Sequence, residues 1–121
     1  MYKDGNSSRE NNKSNSIEII KETLIKACIK SRPSYFKSSL SSDKVTTECP
    51  NKESFYKFFK YILSSSRKMS EGELNLKIKI PDINNKNVQH YEFYDAVHLH
   101  SRLTIIVEES NDSIHLDILP F

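Results

Sequence analysis

Glycine is almost missing from this chain. Gly5 and Gly72 are the only two in 121 residues, so neither a glycine-rich phosphate loop nor a G-x-S-x-G nucleophile turn can form. Tryptophan is absent, and the two cysteines, Cys28 and Cys49, make no C-x-x-C and match no zinc-ligand or disulfide spacing. Both thiols are expected to stay reduced, Cys28 as a small apolar residue on a helix face. No window approaches the roughly 20 apolar residues of a membrane span, and residues 1–16 have no apolar centre of the kind a secretory signal needs. A cytoplasmic protein without a cofactor is expected. Charge of one sign is lacking too. The formal net charge is +2, and the basic residues are scattered among acids. That pattern implies neither nucleic acid nor an anionic membrane as a partner.

What is present suits one small domain. The chain is 28% charged and 36% hydrophobic, which leaves part of it outside any core. Lysine outnumbers arginine, isoleucine, asparagine and serine are plentiful, and alanine occurs only at Ala27 and Ala96, a usage that points to AT-rich coding.

Residues 1–14 carry no periodic apolar positions and read as a flexible polar tail, followed by a single α+β domain over 15–121. A helix is expected from Asn15 or Ser16, with Asn15 and Glu18 spaced as a capping box. Ile17, Ile20, Leu24, Ala27 and Cys28 share one face, Ile19, Ile25 and Ile29 widen the apolar arc, and Pro33 ends it. Ser34 to Leu40 reads as a short second helix with Tyr35, Phe36 and Leu40 inward, and the serines and Thr46-Thr47 beyond it as a loop. The clearest helix covers Asn51 to Arg67, where Phe55, Phe58, Phe59, Ile62 and Leu63 form one stripe and Glu53 can meet Lys57.

After Gly72 the period becomes two. Leu74, Leu76, Ile78 and Ile80 alternate with polar residues up to Pro81. The run from Val88 to His100 places Tyr91, Phe93, Val97 and Leu99 inward if it is one strand, with Asp95 on the core side unless a bulge intervenes. Leu103 to Leu119 reads as a β-hairpin pairing Val107 with Ile114, Ile105 with Leu116 and Leu103 with Ile118. Thr104 would then lie beside Asp117 and Ile106 beside His115. The fold expected is α+β: two or three N-terminal helices packed on one face of a four-stranded antiparallel meander sheet. In element order it resembles NTF2-like domains, which implies a small-ligand pocket between helices and sheet.

The candidate site is the sheet's outer face: His90, Glu92, Tyr94, His98, His100, Thr104, Ile106, His115 and Asp117. With no catalytic motif, the expected function is non-enzymatic protein binding, of an inhibitor or immunity type, through this face and the adjoining loops. The partner expected is a protein, and the sequence fixes no oligomeric state. The alternative is an enzyme. His98-Leu99-His100 on a strand would aim two imidazoles to one side, as metal ligands or as acid and base with Glu92 or Tyr94, with Asp117 or His115 nearby.

Overall fold

The computed structural model describes residues 5–120, with side chains from Ser16 to Leu119. The elements run α1 (Gly5–Lys30), α2 (Ser34–Leu40), β1 (Val45–Thr47), α3 (Lys52–Met69), β2 (Leu74–Lys79), β3 (Val88–Asp95), β4 (Ser101–Glu109) and β5 (Ile114–Pro120). The class is α+β as expected, with three helices and one more strand than the meander. The sheet is ordered β1-β5-β4-β3-β2. Strands β2 to β5 form the antiparallel meander, and β1 adds to β5 in parallel, Val45 opposite Ile114 and Thr47 opposite Leu116. Residues 46 and 47 are therefore strand rather than loop. Three residues carry no visible alternation, and their partner lies at the far end of the chain.

α1 begins at Gly5 rather than Asn15, so Asn15 lies inside the helix and not at its start. Asparagine and serine are mediocre helix formers at well under 1 kcal/mol each, and no proline interrupts residues 5–30. Residues 1–4 of the expected tail lie outside the described residues. Ile17, Ile20, Leu24, Ala27 and Cys28 are buried at the spacing expected, while Ile19 stays exposed. The helix ends in a Schellman arrangement: Arg32 N–H donates to the Ala27 carbonyl and Ser31 N–H to that of Cys28. Ser31 takes the left-handed position at φ 52, where glycine is unstrained. Ser31→Gly is expected to stabilise the protein by about 1 kcal/mol, read as a higher midpoint in urea unfolding.

Pro33 then opens α2, whose Phe36 and Leu40 are buried while Tyr35 faces solvent, against expectation. α3 is capped by Asn51, whose side chain accepts from Ser54 N–H at 2.8 Å. It buries Phe55, Phe59, Ile62, Leu63 and Ser66 and leaves Phe58 half-buried. Its rings form a cluster, Phe59 edge-on to Phe36 at 5.8 Å and stacked on Phe55 at 6.0 Å. Opposite lie Phe93, Leu103, Ile105, Val107 and Leu116, all fully buried. Each such side chain contributes on the order of 2 kcal/mol by leaving water. At the edge of the core, Lys21 of α1 meets Glu109 at the end of β4 and Glu18 at 2.9 Å. Partial burial alone would lower the Lys21 pKa, and the bonds to the two carboxylates raise it instead. Cys28 and Cys49 are free thiols, and burial pushes that of Cys28 well up.

Within the hairpin the pairing slides two residues from expectation. Ile105 faces Ile118, Val107 faces Leu116 and Glu109 faces Ile114. Ser110 N–H donates to the Ser113 carbonyl around Asn111-Asp112. A two-residue slide keeps each side chain on its face, so the apolar side is as expected and the cross-strand neighbours are not.

Candidate functional site

β3 ends on a buried carboxylate. Inward positions alternate through Tyr91 and Phe93 to Asp95, which is 0% exposed. Its Oδ2 lies 2.5 Å from Arg102 Nη2. Arg102 is held in turn by the C-terminal end of α3: its Nε donates to Ser70 Oγ at 2.8 Å and its Nη2 to the Met69 carbonyl at 3.1 Å. The other carboxylate oxygen accepts the His98 N–H and lies 3.4 Å from His98 Nδ1. Burial by itself would raise the Asp95 pKa. The His98 amide and the Arg102 guanidinium outweigh it and hold the carboxyl below its ordinary range.

This capping interaction turns the chain. Leu99 N–H donates to the Asp95 carbonyl at 3.0 Å and Asp95 N–H to the His100 carbonyl at 3.1 Å, closing a single helical turn that ends with Leu99 left-handed at φ 59. The expectation of an extended run to Leu99 is thereby corrected. Val97 and Leu99 are 59% and 72% exposed, and His98 and His100 sit in the β3–β4 loop, not on a strand. Their rings stack with centroids 6.0 Å apart. The reason is local: an aspartate that offers its oxygens to the next amides competes with the ladder, and the register also shifts between Phe93 and Tyr94.

The helices pack on the other side of the sheet, so the outer face is open. One row across it runs Lys79, His90, Ile106, Asp117, and the next Lys77, Glu92, Thr104, Leu119. Thr104 is thus opposite Leu119, not beside Asp117, and Ile106 is opposite Asp117, not His115. Between Glu92 and Leu119, Thr104 is only 3% exposed. Lys79 Nζ reaches Glu92 at 3.3 Å. His90, Glu92, Thr104, Ile106 and Asp117 are brought together, whereas His98 and His100 lie beyond one end and His115 toward the β1 edge. A groove of about 300 Å³ joins this face to the loop, lined by Lys77, Glu92, Tyr94, Leu99 and Ser101.

His115 faces Thr46 across the β1–β5 pair. Its Nδ1 is 2.8 Å from Thr46 Oγ1 and its Nε2 is 2.8 Å from Glu48 Oε2. With the proton on Nε2, the ring donates to Glu48 and accepts from the threonine hydroxyl, which satisfies both nitrogens and laces the short edge strand to β5. Among the described residues, no group of three or more His, Cys, Asp or Glu is placed to hold a metal ion. Nor is any described helix long and apolar enough to cross a membrane.

Sequence reasoning missed Arg102, Thr46, Glu48 and the exposure of Leu99. Arg102 had a signal: it is the one arginine after position 67, seven residues past an aspartate on the inner face that requires a counter-charge. The space between helices and sheet, where an NTF2-like pocket would lie, is occupied by the buried rings of Phe36, Phe55, Phe59 and Phe93. Comparison with protein-family models, curated proteins and solved structures finds no match for this chain.

Proposed function

We propose that the chain is a protein-binding module, of an inhibitor or immunity type, acting through the outer face of its sheet and the β3–β4 loop. The observation that carries this reading is Leu99. Its side chain is largely exposed, and its backbone occupies a region that costs a non-glycine residue roughly 1–2 kcal/mol. Glycine would serve the free protein better. A leucine held there by the buried Asp95 anchor, with Val97 in the same loop, supplies an apolar centre beside the polar rim of Lys77, Glu92 and Tyr94.

Leu99→Gly is expected to stabilise the protein by about 1 kcal/mol and to weaken capture of the partner, while Val97→Asp/Leu99→Asp abolishes capture. Affinity capture from an extract of the source cells, run with wild type and both variants beside denaturant unfolding, measures the two effects together. A partner held equally well by the double-aspartate variant would overturn the reading.

A further inference from the structure

Charge is divided unevenly along the chain, and the fold carries that division onto its surface. Residues 16–72, which run from within α1 through β1 to just past the end of α3, hold eleven lysines and arginines against six carboxylates, and residues 73–120 hold four against eight. The excess gathers on the outer side of α2 and α3. A groove of about 350 Å³ there is lined by Lys37, Lys52, Tyr56, Lys57 and Lys60, with Glu53 as the single carboxylate among its lining residues. A second groove of about 540 Å³ takes in Lys30, Arg32, Tyr35 and Arg67 with Glu73.

Local stability accounts for part of this. Lys30 pairs with Glu73 at 2.7 Å, and Lys30 and Arg67 complement the C-terminal ends of their helices. It does not account for the rest. Lys52 opens α3 where the helix dipole disfavours cations and is offset by donating to the Ser42 carbonyl, whereas Lys57, in the second turn, has no such bond among the described residues. Among the described residues, Lys57, Arg32 and Arg67 have no ion-pair partner, and the Glu53–Lys57 pair that spacing allowed is not formed. Lys37 and Lys60 lie over the Tyr56 ring at 5.9 and 5.3 Å from its centroid. Such crowding of like charge costs the free protein stability that a polyanion would restore.

We infer that this helical face binds the phosphate backbone of single-stranded nucleic acid without reading its sequence. From Lys52 to Arg67, α3 spans about 22 Å at 1.5 Å per residue, room for several phosphates along one track. Tyr61, 66% exposed and one turn beyond Lys57, offers a ring on which a base can stack. An anionic membrane fits less well, because a helix lying in a bilayer interface sets aliphatic side chains beside its lysines. The aliphatic residue lining the groove, Leu40, is buried.

The test is fluorescence anisotropy with labelled oligo-dT and oligo-U of about 20 nucleotides. Four neutralised phosphates give a salt slope near −3, so affinity should fall by roughly 50-fold between about 50 and 200 mM salt. Lys57→Glu/Lys60→Glu should weaken binding at least about tenfold, and Lys57→Gln/Lys60→Gln by less. Lys77→Glu/Lys79→Glu, on the sheet face, should leave it unchanged. These lysines are exposed, and circular dichroism of each variant checks that its fold is retained. No anisotropy change up to about 100 µM, well into the range of non-specific affinities, would overturn the inference. So would equal losses in the helix-face and sheet-face variants, or binding to phosphatidylserine vesicles without binding to either oligonucleotide.

Discussion

Replacing Arg102 by alanine is expected to lower the midpoint of thermal unfolding at pH 7 by on the order of 10 °C. The substitution strips the counter-charge from a carboxylate with no solvent exposure and removes the bonds to Ser70 and Met69. Its pH dependence identifies the cause. In the wild type the Asp95 carboxyl lies below its ordinary pKa, so its contribution is present above about pH 4, the unfolded value, and is lost as pH falls through the lower folded value. Without Arg102, burial dominates and raises the carboxyl pKa, so mild acid relieves the penalty. Thermal melts between pH 7 and pH 4 should therefore show the two proteins converging as pH falls. A constant gap would mean that Arg102 acts by packing alone. Because Asp95 also anchors the amide of His98, the variant should present Leu99 less rigidly as well.

Phe59→Ala is expected to cost about 4 kcal/mol. The ring is fully buried and joins two partners, Phe36 of α2 at 5.8 Å and Phe55 one turn back on α3 at 6.0 Å. Truncation leaves a cavity between two helices and the sheet that short α2 cannot close without losing Phe36 as well. Urea unfolding should show the midpoint displaced with little change in slope. A loss under about 1.5 kcal/mol, the range of volume-conserving swaps, would mean that the layer collapses around the gap and that the aromatic cluster is not what docks α2. The lysine groove is a sensitive reporter, since Lys37 of α2 and Tyr56 of α3 are held in place by that docking.

The elements that were legible in the sequence are those whose signal is local and repeated. The aromatic stripe of α3, the buried face of α1 and the alternation of β2 through β5 each follow from one period. What escaped depends on partners distant in the chain. β1 is three residues whose role comes from pairing with β5. The hairpin slide kept its parity, so Ile105 and Val107 faced inward as read, while the neighbours of Thr104 and Ile106 changed. At the end of β3, Val97 and Leu99 continued an apolar alternation that the Asp95 carboxylate cuts off. The conflict at Asp95 was visible and its resolution by Arg102 was not. Of the candidate site, the central outer-face residues His90, Glu92, Thr104, Ile106 and Asp117 do lie together, and Tyr94 lines the adjoining groove. The histidine pair moved to a loop because the strand that would have aimed it ends five residues earlier than His100. The basic helical face was hidden because the small net charge averages a basic first part of the chain against an acidic second part, and the lysines of α2 and α3 line one groove only once the two helices pack together.

Binding of a protein partner by the sheet face is tested most directly by amide hydrogen exchange on the protein alone and with the partner captured by the wild type. Slower exchange is predicted at His98 and Leu99, whose amides already bond to Asp95, and along β3 and β4 from Glu92 to Ile106. Lys52 to Lys60 of α3 should be unchanged. Protection confined to α2 and α3, with the β3–β4 loop exchanging as in the free protein, would contradict it.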